Sequence, residues 1–229
     1  TLAYKDLTAS WNDFFTGEFA KDNFLSAVVE LAKKDNQYYA LPFMVEAMSL
    51  QANKGLMEDA GLVNGGEAMH PKSLEDLYTF AQKMTKGSGD VKDVYGFSWN
   101  FTNFGDLQLF CAINSLGGTP YNPDMSPNLD APEIEDVFSF IKRTTLDGYS
   151  TKGTITDTNA GRSGFNAGKV AMMFEAASRA IEAKPELGDD SIILPFPGMK
   201  ENGTLIYAHY TYIPKDTEVK DLAYQFMRE

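Results

Sequence analysis

Few residues in this chain can do covalent or metal chemistry. There are two histidines, His70 and His209, and one cysteine, Cys111. The histidines are far apart in sequence and His70 falls in an expected loop, so neither a paired-histidine metal site nor a Cys–His nucleophile is expected. One cysteine excludes an intrachain disulfide and a thiolate zinc cluster. Cys111 lies between Phe110 and Ala112 on an expected helix and reads as a small core residue. The dinucleotide fingerprint GxGxxG, the phosphate loop GxxxxGK followed by Ser or Thr, the zinc motif HExxH and the nucleophile elbow GxSxG are all missing. The stretch Gly161-Arg162-Ser163-Gly164 is the nearest phosphate-loop likeness, but no strand leads straight into it and no Lys-Ser or Lys-Thr follows. Acids are plentiful, yet a glycosidase pair needs carboxyls roughly 5–10 Å apart with one in an apolar pocket, and spacing along the chain does not define that. Asp13, Glu18, Asp189 and Asp190 read as solvated faces. The run Asn122 to Asp130 has the composition of a calcium loop without its ligand spacing. These residues point to no enzyme, no metal and no cofactor.

The composition of the full 229-residue chain bounds the other classes. Apolar residues make up 43% and charged residues 23%, a globular composition with enough length for one large domain or two small ones. The formal charge of −12 argues against a nucleic-acid partner and against docking on anionic lipid. No run of 18 apolar residues exists to span a bilayer. The first residue is Thr1 rather than Met, and the last segment stops within an apolar helical period, so a piece of a longer protein is expected.

Hydrophobic periodicity and turn signals predict helices alternating with short strands, an α/β architecture. Phe24, Leu25, Val28, Val29 and Ala32 form a helical stripe with Lys33 and Lys34 in its last turn. A short run from Gln37 to Phe43 is broken by Pro42, and Val45 to Ala52 reads as a second extended piece. Asn53 to Ala60 is a short helix capped by Gly61, followed by a loop from Asn64 to Pro71. Ser73 and Asp76 form an approximate capping box for a helix burying Leu74, Leu77, Phe80, Ala81 and Met84. Val94 to Trp99 is an expected strand, and Asp106 to Leu116 a helix ended by Gly117 and Gly118. Asp130 is expected to cap a helix that turns Ile134, Val137, Phe138 and Ile141 inward. Val170 to Phe174 is a buried strand, Ala176 to Ala183 is helical until Pro185, and Ser191 to Phe196 and Leu205 to Ile213 are strands. Val219, Leu222, Ala223, Phe226 and Met227 recur at helical spacing near the end.

Five blocks in order carry a resemblance. The first is Tyr39-Ala40-Leu41-Pro42-Phe43-Met44-Val45-Glu46, continuing through Ala52-Asn53-Lys54-Gly55-Leu56 to Ala60-Gly61-Leu62. It is followed by Ser73-Leu74-Glu75-Asp76-Leu77, by Tyr95-Gly96-Phe97 with Gly117-Gly118, by Phe165-Asn166-Ala167-Gly168-Lys169-Val170-Ala171-Met172, and by Leu194-Pro195-Phe196-Pro197-Gly198. Together they resemble the extracytoplasmic sugar-binding proteins of ABC transporters, the family that includes maltodextrin-binding protein. The resemblance implies an α/β periplasmic-binding-protein-like fold of type II with two lobes, one of them incomplete here. Residues 1–42 and 206–229 would be remnants of lobe one and residues 43–205 most of lobe two, with hinge crossings near 40–46 and 203–210. It implies a monomer, periplasmic or lipid-anchored at the outer face of the cytoplasmic membrane. Such a protein binds a sugar in an interlobe cleft without catalysis and presents it to the permease subunits of an importer. Another polar solute such as a polyamine is the alternative, and a carbohydrate-active enzyme a more distant one.

Sugar binding asks for aromatic faces against ring C–H groups and planar polar groups against hydroxyls. By this resemblance Glu46, on the crossing strand, is a candidate ligand carboxylate. Trp99, Asn100, Asn103, Phe104 and Asp106 lie where the family's loop reaches the cleft. Glu175 and Arg179 follow the Gly-Lys-x-Ala-Met block, where the family commonly carries a stacking Trp that this chain lacks. Arg179 would favour an acidic sugar. Tyr207, His209 and Tyr210 lie on the returning strand, with Tyr207 and His209 on one face and Tyr210 on the other.

Overall fold

In the computed structural model, residues 6–101, 105–152, 160–198 and 204–229 are described. They fall into two compact units, one of residues 1–46 and 206–229 and the other of residues 47–205. One strand, β3 (Leu41–Asn53), begins in the first unit and ends in the second. It is a single strand of 13 residues rather than two pieces. Pro42 does not interrupt it, because a proline at the start of a strand removes a ladder donor only where the pairing begins.

The larger unit is built on β3, which lies between β6 (Met172–Ala176) and β7 (Ser191–Leu194), both antiparallel to it. Leu50 pairs with Phe174 on one side and Leu194 on the other, and Met48 through Asn53 are all buried. A strand covered on both faces reads as a continuous apolar run. Ser49, Gln51 and Asn53 are the exceptions: the Ser49 hydroxyl donates to the Glu175 carbonyl at 3.2 Å, Gln51 Nε2 donates to the Ala176 carbonyl at 2.6 Å, and Asn53 caps the following helix. The expected strand at Val94 to Trp99 is present as isolated parallel bridges, Tyr95 to Val170, Phe97 to Ser150 and Ser98 to Met173. These extend the sheet beyond β6. Phe97, Trp99, Phe140, Phe174 and Phe196 fill the core beside it, with Phe174 and Phe196 stacked at 4.3 Å.

Helices cover this sheet. In α2 (Lys54–Asp59) the Asn53 side chain accepts from the Leu56 amide, and Gly61 leaves the helix at φ +69°. In α3 (Leu74–Met84) the Ser73 hydroxyl accepts from the Asp76 amide, while the Asp76 carboxylate reaches back to the Lys72 amide, one residue before the usual box. Leu77, Phe80, Ala81 and Met84 face the core. The strand segment at Gly96 approaches α3 so closely that a Cβ there would stand 1.8 Å from the Ala81 carbonyl oxygen. The remaining helices are α4 (Gly105–Ser115), α5 (Pro132–Leu146), α6 (Ala160–Asn166), α7 (Ser178–Glu182) and α8 (Lys184–Leu187). The helix expected over Ala176 to Ala183 shortens to α7, because Ala176 belongs to β6; α7 ends before Pro185, which sits in the first turn of α8, where its missing N–H costs nothing.

Three local expectations are corrected. Asp130 does not cap α5: the cap position is Ala131, without a side-chain bond, and Pro132 is the first helical residue. The buried face of α5 runs through Ile134, Val137, Phe140 and Thr144, leaving Phe138 53% exposed. The stretch 64–71 is not a plain loop; Gly65 and Gly66, both at positive φ, close a small hairpin of β4 (Val63–Asn64) and β5 (Glu67–Ala68).

The smaller unit has an aromatic core of Trp11, Phe14, Tyr38 and Tyr224 with Val29, Leu41 and Ile213. The expected helix over Phe24 to Lys34 shortens to α1 (Ser26–Val29) and a 3-10 turn, and Lys33–Lys34 become β1, paired with β2 (Gln37–Tyr38). Asp35 and Asn36, both at positive φ, form the connecting turn, and that tight hairpin outweighs the helical stripe, whose Val28 and Val29 are β-branched. Strand β8 (Ile206–Thr211) pairs with β3. The last helix, α9 (Lys220–Phe226), is anchored by the Tyr224 hydroxyl donating to the Ser10 carbonyl at 2.6 Å. Tyr224 is buried, whereas Val219, Leu222 and Phe226 of the expected apolar stripe are exposed.

Candidate functional site

In the smaller unit, β3 and β8 bring a carboxylate and three rings together. Tyr207, on β8, donates its hydroxyl to Glu46 Oε2 at 3.0 Å, with Glu46 near the middle of β3. Two residues along β8, on the same face, the His209 ring lies 5.8 Å from that of Tyr207. On the other strand Phe43 lies 6.2 Å from His209. Phe43 and His209 are exposed, while Glu46 and Tyr207 are half-buried. The alternation of β8 sends Tyr210 elsewhere: its hydroxyl donates to the Val28 carbonyl at 2.8 Å, and burial pushes its pKa up. Tyr210 thus ties β8 to α1.

In the larger unit, Glu175 near the end of β6 is fully buried. Its Oε2 accepts from Arg162 Nε at 2.7 Å and from Asn100 Nδ2 at 3.3 Å, and its Oε1 accepts from the Ala176 amide at 3.0 Å. The Asn100 amide in turn donates to Gln108 Oε1 at 3.2 Å. Three segments therefore meet on one carboxylate, β6, α6 and the chain after Ser98, and α4 joins them through Gln108. Held by three donors and buried on all sides, Glu175 orders its surroundings rather than presenting an open carboxylate. Two buried donors of these same residues, Arg162 Nη2 and Gln108 Nε2, have no hydrogen-bond partner among the described residues.

The other expected residues are placed differently. Trp99 is 1% exposed, packed edge-on against Phe97, Phe140 and Phe174 and stacked on Phe101 at 5.5 Å. Its ring belongs to the core. Asp106 is exposed in the first turn of α4, where a carboxylate suits the helix dipole. Arg179 pairs with Glu182 one turn along α7. Asn103 and Phe104 lie outside the described residues.

Arg162 is the partner of Glu175 that sequence reasoning missed. It stands inside the Gly-Arg-Ser-Gly run weighed above as a phosphate loop, and the structure turns its guanidinium onto an internal carboxylate instead. A buried acid in an apolar strand needs a partner, and that requirement was the available signal. His70 bonds the Pro195 carbonyl and Lys72 Nζ, and burial lowers its pKa. Cys111 is buried, its Sγ accepts from the Leu205 amide, and burial raises its pKa to about 11. Among the described residues no group of three or more His, Cys, Asp or Glu side chains could hold a metal ion, and no helix is long and apolar enough to cross a membrane.

Residues 3–228 match the model of a family described as bacterial extracellular solute-binding proteins. The maltotriose-binding protein of Pyrococcus abyssi is 23% identical over 223 residues, covering 92% of this chain and 45% of its own length. The solute-binding protein of Agrobacterium vitis S4, solved with bound D-mannitol, superposes with a TM-score of 0.78 at 21% identity, covering 98% of this chain and 55% of that one. A Thermotoga lettingae TMO solute-binding protein, solved with α-D-tagatose, gives 0.79 at 18% identity, covering 99% and 58%. This chain spans about half the length of these relatives. The likeness establishes the α/β fold of periplasmic-binding-protein-like proteins. With nearly every residue matched, the chain belongs to the bacterial extracellular solute-binding protein family.

Proposed function

We propose that the protein containing this chain binds a carbohydrate without transforming it, for delivery to the membrane subunits of an ABC importer. The observation that carries this reading is the Tyr207–Glu46 hydrogen bond beside the rings of His209 and Phe43. Exposed rings can take the C–H face of a sugar, and a carboxylate oriented by a tyrosine can accept from its hydroxyls. Family membership supports solute binding, and the relatives solved or named with maltotriose, D-mannitol and D-tagatose support a polyhydroxylated solute. On this reading residues 1–42 and 206–229 are part of one lobe and residues 43–205 most of the other. Asn100 and Asp106 are the candidate solute residues of the larger unit, and Glu175, itself held by Arg162, positions Asn100. The protein works outside the cytoplasm, in a periplasm or lipid-anchored at the membrane's outer face.

A thermal-shift screen of the full-length protein against maltotriose, D-mannitol, D-tagatose and a broad glycan panel tests the reading. A ligand that binds only the folded state raises Tm by mass action. The expected result is a rise with at least one sugar, diminished by Glu46→Ala, with the sugar recovered unchanged. No response to any sugar would overturn the proposal, and a released product would replace it with a carbohydrate-active enzyme.

A further inference from the structure

The hairpin of β4 and β5 carries a reactive pair of residues that solute binding does not use. Val63 pairs with Ala68 and Asn64 with Glu67, so Gly65 and Gly66 are the two residues of the turn, at φ +60° and +84°. Glycine adopts both conformations without steric cost. The residues from Asn64 to Glu67 are all exposed, and a Cβ added at Gly65 or Gly66 would meet nothing within 4 Å. Asn64 is the one asparagine among the described residues that a glycine follows.

Other asparagine side chains are held in place. That of Asn12 accepts from the Tyr38 amide, that of Asn53 from the Leu56 amide, and that of Asn100 donates to Glu175. Pro123, after Asn122, has no amide hydrogen to lose. Among the described residues the Asn64 carboxamide makes no hydrogen bond and the Gly65 amide donates none. We propose that Asn64 is a site of spontaneous deamidation, with the Gly65 nitrogen as nucleophile. A base takes the Gly65 amide proton, the nitrogen bonds to Asn64 Cγ, and the carboxamide nitrogen leaves as ammonia, closing a succinimide. Water then adds to either ring carbonyl. Opening at one C–N bond leaves aspartate at 64; opening at the other routes the main chain through the former side chain, as isoaspartate. The sum is asparagine plus water giving aspartate or isoaspartate plus ammonia, with no oxidant or reductant. A following glycine places no side chain in the way of the ring.

Either product works against the hairpin. Aspartate at 64 stands opposite Glu67, a like-charged pair directly across an antiparallel ladder. Isoaspartate adds a methylene to the main chain at the mouth of the turn, so a two-residue connection no longer matches the register of Val63 with Ala68. The hairpin carries the chain from α2 towards α3 and is closed by the Met69 amide donating to the Leu62 carbonyl at 2.8 Å. Deamidation therefore loosens the connection between these two helices.

The test ages the folded full-length protein in warm buffer at mildly alkaline pH and follows its peptides by mass spectrometry, with fragmentation that separates aspartate from isoaspartate. The expected result is loss of Asn64 ahead of every other asparagine of the described residues, faster as pH rises, with isoaspartate among the products. In urea unfolding Asn64→Asp is expected to lower the midpoint, and Glu67→Gln in the same chain to restore most of the loss. Asn64 left intact in the folded protein while the urea-unfolded chain loses it would overturn the proposal. So would modification of Asn202, which a glycine also follows and which lies outside the described residues, with Asn64 unchanged. An Asn64→Asp midpoint equal to wild type, or one unmoved by Glu67→Gln, would overturn the effect assigned to the new charge.

Discussion

Replacing Arg162 by methionine removes a cation from beside a fully buried carboxylate while keeping most of the side chain's apolar length. The side chain of Arg162 is 15% exposed and that of Glu175 is not exposed at all. After substitution Glu175 keeps only the Asn100 amide group and its neighbouring backbone N–H as donors. Breaking a buried pair by removing one partner costs about 3–5 kcal/mol, because the remaining charge stays desolvated and uncompensated. Arg162→Met should therefore destabilise the larger unit by about 3–5 kcal/mol. Glu175→Gln in the same chain should recover a large part of that loss, since the residual group no longer carries charge. The two tryptophans make the measurement selective: Trp11 lies in the smaller unit and Trp99 in the larger. In a Trp11→Phe background, urea unfolding followed by Trp99 fluorescence reports the larger unit. A loss below about 1 kcal/mol for Arg162→Met, on the scale of an exposed pair, would refute the reasoning. A double variant no more stable than the single would refute it equally.

Other outcomes follow from single contacts. Gly96→Ala places a methyl 1.8 Å from the Ala81 carbonyl oxygen, a backbone atom with little room to move. The variant should lose more than about 3 kcal/mol or fail to fold, and a urea melt indistinguishable from wild type would contradict the packing of α3 on this segment. Cys111, with its pKa raised to about 11 by burial, is a neutral thiol at pH 8. It should resist iodoacetamide in the native protein at pH 8 and react once urea unfolds the chain; rapid native alkylation, detected by mass spectrometry, would show that the site opens.

Local signals were read from the sequence with good fidelity where one residue type decides the geometry. Ser73 caps its helix with its own side chain, and Gly61 ends α2 at positive φ. Elements decided by distant contacts were read less well. The segment 95–98 has few partners of its own and joins the sheet only through residues 150 and 170–173. The core face of α5 shifts from Phe138 to Phe140 because Phe140 meets Phe97 and Trp99 across the unit, which helical periodicity alone does not report. The same limit governs the candidate residues. Tyr207 and His209 share a face by strand alternation, so their pairing was legible. The burial of Trp99 and the saturation of Glu175 by Arg162, 13 residues away along the chain, are tertiary facts. The absence of a tryptophan after β6 was visible from the start, and the structure puts an alanine at the strand end and the Arg179–Glu182 pair beyond it.

The claim on which the functional account rests is that Glu46, oriented by Tyr207, takes the hydroxyls of a sugar. Calorimetric titration of the full-length protein with whichever glycan raises its Tm tests this most directly, comparing wild type with Tyr207→Phe and Glu46→Gln. A hydrogen bond to a charged group contributes about 1.5–3 kcal/mol, so Glu46→Gln should weaken binding by about ten-fold or more and Tyr207→Phe by less, with the sugar unchanged afterwards. Wild-type affinity retained in both variants would contradict the account.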